Sequence, residues 1–194
     1  MRNLVLFVSF LFMAACAEAS APATWTLDSD QSRISFVSIK AAQIAEPHHF
    51  KKLEGSIDEA GKATVEINLD SVETLIDIRN ERMRKFFFET ANFPVATITA
   101  QVDLDQFADL PVGGRRESDL TATLDLHGAS ETIETAVYVT RIAEDRVTVA
   151  TVDPVIIDVN SFDLAAGLNK LMELAGLDSI TSNVPVTFSL VFQG

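Results

Sequence analysis

Residues 118–142, SDLTATLDLHGASETIETAVYVTRI, alternate between apolar and polar side chains on both sides of one short turn. Successive side chains of a β-strand point to opposite faces, so strict alternation indicates a strand with one buried and one solvated face. The tetrapeptide HGAS at 127–130 has the composition of a turn. The segment therefore predicts a β-hairpin, whose first strand carries an apolar face of Leu120, Ala122, Leu124 and Leu126.

The same alternation extends in both directions, from Trp25 almost to the end of the chain. It recurs in RISFVSIK (33–40), KATVEINLD (62–70), VATITAQVDL (95–104), RVTVATVDPVIIDV (146–159) and SNVPVTFSLVF (182–192). These segments predict about eight strands, most of them joined without an intervening helix, which favours antiparallel pairing. The polar residues of the alternation predict that one face of the sheet meets water. The apolar face must then be buried against other parts of the chain. The fold class is therefore mainly β.

Two segments break the alternation and have helical periodicity instead. DIRNERMRKFFF, 77–88, places Arg79, Met83 and either Phe86 or Phe87 on one helical face. Within 164–178, apolar residues recur at intervals of three and four, and a glycine near the end of the segment is typical of a helix C-terminus. Both helices are amphipathic and too short to be stable alone, so we expect each to lie on the sheet.

Residues 1–15, MRNLVLFVSFLFMAA, predict an export signal, because one positive charge precedes an apolar run that is too short to span a bilayer. The letters MAAC at 13–16 resemble a bacterial lipobox, which predicts a lipid anchor on Cys16 and a small, polar tether over 16–24. The alternative is ordinary signal cleavage after AEA at 17–19, which would discard the cysteine and release a soluble protein.

Cys16 is the only cysteine of the chain, which excludes an internal disulfide and a cysteine-based zinc site. Its position just after an export signal favours anchoring over catalysis. We expect an exported, periplasmic protein that the membrane holds through this anchor. The residue after the cysteine is Ala17 and not the aspartate that favours inner-membrane retention, so the expected destination is the outer membrane.

The formal charge of −13 argues against a nucleic-acid partner, because phosphate binding needs a positive surface. The adjacent His48 and His49 would point to opposite faces of an extended strand, so we expect surface or strand-edge histidines and no metal site. No G-x-S-x-G motif is present. Asp153, Asp158 and Asp163 would serve acid–base chemistry only if the fold paired two of them. We predict no catalytic residue.

Four segments in order, WTLDSDQSRISFVS (25–38), FKKLEGSID (50–58), VEINLDSVETLIDIRNERMRKFFFETANFPVATITAQV (65–102) and LTATLDLHGASETIETAVYV (120–139), resemble the bacterial YceI-like family. The resemblance implies an eight-stranded antiparallel, lipocalin-like barrel with two short amphipathic helices over 25–194. It also implies that the interior of an exported protein holds the tail of a polyisoprenoid or related amphiphile. The implied role is binding or carriage and not enzymatic, with no cofactor apart from such a lipid. One departure from the family lies near Lys40, where a histidine is often found.

Inward strand positions would line such a barrel, namely Ile34, Phe36, Val65, Ile67, Ile98, Leu124, Val137 and Phe188. The 77–88 helix would form the entrance with Arg79, Met83, Phe86 and Phe87. Arg79 would either meet a polar or anionic head group or pair with surface acids such as Glu73 and Glu81.

Three functional alternatives stay open at this point. The first is a carrier that holds a long isoprenoid, quinone-like, or fatty-acyl amphiphile as its hydrophobic small-molecule partner. The second is a structural or protein-interaction barrel with a filled core, and the third is an enzyme with an ionisable cluster in its pocket. The helix within 164–178 would be a lid in the first case and a plug in the second. The oligomeric state is also open, a homodimer included.

Overall fold

The computed structural model describes residues 25–41 and 43–194. The predicted export signal (1–15), the predicted lipidation site Cys16 and the predicted tether (16–24) lie outside the described residues. The strands are β1 (Trp25–Leu27), β2 (Arg33–Lys40), β3 (Ile44–Phe50), β4 (Leu53–Ile57), β5 (Lys62–Asn68), β6 (Val72–Glu73), β7 (Val95–Gln101), β8 (Arg115–Leu126), β9 (Ala129–Ala143), β10 (Arg146–Thr151), β11 (Val155–Asp158) and β12 (Asn183–Gln193). The α-helices are α1 (Asp77–Arg82) and α2 (Ala165–Ala175).

The twelve segments form eight barrel strands, because four of the barrel strands are each interrupted once and so consist of two segments. The interrupted pairs are β1 with β2, β3 with β4, β5 with β6, and β10 with β11. Every barrel strand is antiparallel to the next one in the sequence, and β12 returns to pair with β1 and β2. The ring therefore closes, and the prediction of a mainly β, eight-stranded antiparallel barrel with two short helices is confirmed.

The β8–β9 hairpin has the register that the alternation predicts. Ala122 lies opposite Ile133, and Leu126 lies opposite Ala129. The two residues between the strands, His127 and Gly128, both have positive φ, 53° and 83°, which matches the twist of a two-residue hairpin. His127 tolerates this conformation while its ring lies 4.3 Å from that of Phe93 and its Nε2 lies 2.9 Å from a carboxylate oxygen of Glu89.

Both helices lie at the same end of the barrel, which we call the helix end. α1 continues into a π-helical turn, Met83–Phe87, where the Phe88 amide donates to the Met83 carbonyl at 2.8 Å. α2 ends at Gly176, which has φ 62°, and the Leu177 amide donates to the Met172 carbonyl at 3.0 Å. The predicted C-terminal glycine is confirmed. No helix in the described part of the chain is long and apolar enough to cross a membrane.

At the opposite end, the segment between β7 and β8 folds back against the wall. Leu110 is buried there against Val137 and Val139. The chain ends nearby, with Gly194 against the ring of Trp25. The two ends of the barrel therefore differ, since helices cover one and a loop packs at the other.

The packing of α2 on the π-helical turn depends on Gly167. A Cβ at this position would lie 2.4 Å from the Phe86 carbonyl oxygen and 2.9 Å from the Phe87 Cα. Both are backbone atoms, so the clash cannot be relieved by rotating a side chain. Gly167 therefore allows the closest approach between the two helical segments.

We expect Gly167→Ala to destabilise the protein by about 1–3 kcal/mol through overpacking. In an unconstrained helix the same change would stabilise by up to about 1 kcal/mol, so the sign of the effect distinguishes the two situations. Urea unfolding measures it, with Ala166→Gly on the exposed side of α2 as the control for helix propensity. A stabilised Gly167→Ala would contradict the close approach.

Candidate binding cavity

A cavity of about 750 Å³ occupies the interior of the barrel. This volume lies in the range of about 300–1,000 Å³ that is usual for small-molecule sites. Eleven of the twelve side chains predicted to contact a ligand line it, namely Ile34, Phe36, Val65, Ile67, Arg79, Met83, Phe87, Ile98, Leu124, Val137 and Phe188. The alternation along each strand therefore identifies which side chains face the interior.

Phe86 is the exception, since it does not line the cavity. The ammonium of Lys85 lies 5.2 Å from the centroid of its ring. Phe88 lines the cavity instead, and its ring packs at an angle against those of Phe87 and Phe50, with centroid distances of 4.8 and 5.8 Å. The π-helical turn explains the correction, because its wider i→i+5 turn places Phe87 and Phe88 on either side of Met83 and leaves Phe86 farther round the helix.

The cavity has a polar cluster at its helix end, where β2 and β3 form a hairpin. We call Ser38, Lys40, Glu46, His48 and Arg79 the rim cluster; all five line the cavity. One carboxylate oxygen of Glu46 accepts from the Lys40 ammonium at 2.7 Å and from Arg79 Nη1 at 2.8 Å. The Arg79 Nη2 also donates to the Thr74 carbonyl at 2.6 Å. The cluster is held together by ion pairs on one side of an otherwise mainly apolar wall.

His48 is buried, with 2% of its surface exposed, so the expectation of a surface or strand-edge histidine is wrong for this residue. Its Nε2 lies 2.8 Å from the Ser38 hydroxyl, and its ring lies 5.1 Å from that of Phe36. Burial, followed by the positive charge of Arg79, lowers the pKa of His48 to about 4. His48 is therefore neutral at pH 7, and the alternation of β3 turns it inward and His49 away from the cavity.

One of the two predictions for Arg79 was an ion pair with a surface acid such as Glu73 or Glu81. In the structure Arg79 pairs with Glu46 instead. Glu73 instead accepts from Lys51, Asn80 and the Leu75 amide. These bonds, with that from Lys51 first, lower the pKa of Glu73 to about 2. The hydrogen bond from Lys40 lowers the pKa of Glu46 as well. Both carboxylates are therefore ionised at neutral pH.

The cavity reaches the surface beside the rim cluster. Ile76 and Ile78 line it and are 45% and 52% exposed. Leu75 precedes them with 85% of its surface exposed and a φ of 63°, a conformation that is unfavourable for leucine. Ile44, at the start of β3, is also half exposed. We call this opening the mouth. Exposed apolar side chains border it on the protein surface, and the ion pairs of the rim cluster border it on the cavity side.

α2 covers this end without filling the barrel. Leu164 and Leu168 are buried, and Leu168, Leu171 and Leu177 line the cavity from above. Since the cavity remains beneath them, the helix does not plug the interior. The filled-core alternative therefore does not fit the geometry.

The chemical groups at the cavity favour hydrogen bonding over catalysis. The Ser38–His48 contact has the distance of a nucleophile and its base, but a histidine with a pKa of about 4 is a weak base at neutral pH. Its Nδ1 has no partner among the described residues that would orient the ring. Asp153, Asp158 and Asp163 do not line the cavity. The described residues contain no group of three or more His, Cys, Asp or Glu that could hold a metal ion.

The low pKa of His48 makes the stability depend on pH in a defined window. As the pH falls from 7 to 5, His48 gains a proton in the unfolded chain, where its pKa is about 6.5, but not in the folded protein. The free energy of unfolding should therefore fall by about 1–2 kcal/mol more in the wild type than in His48→Gln. Urea unfolding at both pH values measures the difference. Burial lowers the pKa of His49 as well, but less than that of His48, so His49→Gln on the same strand should reduce the slope by less. Equal slopes in the wild type and His48→Gln would contradict the buried, neutral histidine.

Comparison with solved structures identifies three informative relatives. A polyisoprenoid-binding domain from Saccharophagus degradans, implicated in plant cell wall breakdown, is 42% identical, covers 88% of this chain and 98% of its own, and superimposes with a TM-score of 0.86. BcnA of Burkholderia cenocepacia is 22% identical, with coverage of 85% and 98% and a TM-score of 0.65. The YCEI protein of Campylobacter jejuni is 20% identical, with coverage of 77% and 88% and a TM-score of 0.51. The last two show the shared fold alone.

No curated protein matches the chain. The family model for the YceI-like domain matches residues 25–192, which span the whole barrel from β1 into β12. The closed eight-stranded ring, its apolar interior and this match agree with the resemblance in the sequence. The chain belongs to the YceI-like family.

Proposed function

We propose that this protein is an exported carrier that holds one long isoprenoid, quinone-like, or fatty-acyl amphiphile inside its barrel. The observation that carries the proposal is the apolar cavity of about 750 Å³ enclosed by the ring. Burial of an apolar tail contributes about 0.8 kcal/mol for each methylene group, so a chain of ten or more carbons binds without any catalytic group. The polyisoprenoid-binding domain that is 42% identical supports the same class of ligand.

The shape of the site also favours an amphiphile over a uniformly polar ligand. Inward side chains of all eight barrel strands contribute to the cavity wall, and the mouth beside Ile76 and Ile78 is a place where a polar end would meet water. A tail can extend from this mouth toward Trp25, which lines the cavity at the far end. Such an arrangement suits storage or transport, because nothing in the chemistry of the wall would alter the tail.

We also propose that Cys16 carries a lipid anchor that holds the carrier at the periplasmic face of the outer membrane. The lipobox-like sequence supports this proposal. In a Gram-negative host, the wild type should fractionate with membranes and its N-terminal peptide should carry the mass of acyl chains, whereas Cys16→Ser should become soluble. A wild-type chain cleaved after Ala19 and recovered from the soluble periplasm would contradict the anchor and leave the carrier proposal standing.

The carrier proposal predicts that the protein retains a lipid when it is purified. We expect organic extraction of the wild type, followed by mass spectrometry, to release a quinone or acyl lipid in near-stoichiometric amount. Ala122→Phe should reduce the amount at least about tenfold, because Ala122 faces the cavity and a phenyl ring there takes the space of the tail.

The matched control is Thr121→Phe, the next residue of β8, which is exposed and points away from the cavity. It should retain the wild-type amount of lipid. The carrier proposal is wrong if the wild type is empty and also takes up no quinone or fatty-acyl probe. That result would favour a structural or protein-interaction barrel.

A further inference from the structure

The rim cluster contains hydrogen-bonding groups that the protein does not use. His48 Nδ1 and Arg79 Nε are buried atoms without a partner among the described residues. A buried polar atom without a partner is destabilising and is rare in folded proteins. His48 is 2% exposed and lines the cavity, so the nitrogen that lacks a partner belongs to a side chain that only the interior can satisfy.

The hydrogen bonds already formed decide what kind of partner is missing. If the Ser38 hydroxyl donates to Nε2, the proton of the neutral ring is on Nδ1, which is then a donor. Arg79 Nε–H is a donor in every state. Arg79 is also close enough to His48 for its charge to lower the pKa of the ring. With this tautomer, two donors without acceptors belong to side chains that line the helix end of the cavity.

The charge of the cluster points to the same kind of partner. Lys40 and Arg79 share a single carboxylate, that of Glu46, and both bind its Oε2. The ion pairs therefore leave one positive charge in excess beside an apolar cavity. An oxygen with partial or full negative charge would be attracted to this position, whereas an ammonium would be repelled.

We propose that the rim cluster binds an oxygen hydrogen-bond acceptor, a carbonyl or a carboxylate, at the head of the amphiphile. Arg79 and His48 donate to this oxygen, and Lys40 with Glu46 holds Arg79 in place. This inference rests on the carrier function proposed above and assigns the head-group chemistry and the orientation of the ligand. The head lies under α1 at the mouth, and the tail extends toward Trp25.

Three probes with known heads test the proposal in the full chain. They are hexadecanoic acid, a benzoquinone with a decyl side chain, and decylbenzene, which has a tail and ring but no acceptor oxygen. Binding is followed by the emission of Trp25, the only tryptophan, after extraction and refolding. Arg79→Met keeps an unbranched apolar stem and removes the donors of the side chain. His48→Phe keeps the ring against Phe36 and removes its nitrogens.

Arg79→Met should weaken binding of the acid, the quinone or both by about ten- to hundredfold, as expected for a hydrogen bond from a charged donor. His48→Phe should weaken it by about three- to tenfold. Decylbenzene should bind both variants within about twofold of the wild type. The matched controls, Arg33→Met on β2 and His49→Phe on β3, do not line the cavity and should leave all three affinities unchanged.

Each outcome decides the assignment. A loss confined to the acid identifies a carboxylate head, and a loss confined to the quinone identifies a carbonyl head. Equal losses for decylbenzene, or no loss for either oxygen-bearing probe, would overturn the head-group assignment while leaving the carrier function intact. A wild type that binds none of the probes would overturn both. If Arg79→Met does not fold, His48→Phe carries the test, because His48 takes part in no ion pair.

Discussion

Antiparallel hydrogen bonding around a closed ring determines what the rest of this molecule can do. β1 is paired on both sides, with Thr26 opposite Ser56 and opposite Gln193. Because every barrel strand has a neighbour on each side, the sheet has no open edge and one of its faces is enclosed. The apolar residues of the alternation are buried on that inner face. An eight-stranded ring can be filled by its side chains or can hold one small ligand, and in this barrel the side chains leave a cavity of about 750 Å³.

The interruptions in the strands place chemistry at one end of this cavity. β2 and β3 form a hairpin at the helix end, and its inward positions carry four of the five residues of the rim cluster. α1 supplies Arg79 from above, and Gly167 lets α2 approach the π-helical turn closely enough to cover the same end. The result is a polar mouth above an apolar interior, so an amphiphile bound as proposed would contact the protein with its two parts at separate places.

Much of the fold follows from the sequence, because alternation is a local property. The apolar phase of SDLTATLDLHG and SNVPVTFSLVF identifies the inward side chains, and helical spacing identifies both helices. What the sequence does not contain is the pairing between distant segments. Glu46 and Arg79 are 33 residues apart, so their ion pair is set by the ring and not by spacing. His48 had one signal, the alternation of β3, which placed it on the face opposite His49.

The inward placement predicted for Phe87 agrees with the structure, and that of Phe86 does not, for a different reason. Helical periodicity assumes 3.6 residues per turn, and this chain departs from that value over Met83–Phe87. The wider turn moves Phe88 inward and leaves Phe86 beside Lys85. Phe87 and Phe88 therefore face the interior, while Phe86 stays beside the positive charge of Lys85.

The pairing of Thr26 with Gln193 joins residues close to the two ends of the barrel sequence. During synthesis from the N-terminus, β1 and β2 therefore cannot pair with β12 until almost the whole chain has been made. The other pairings form between successive strands and can precede it. Addition of β12 is then the step that creates the cavity, so a folding intermediate that lacks it has an open sheet and no interior. A ligand with affinity for the closed barrel would stabilise this final step and none of the earlier ones.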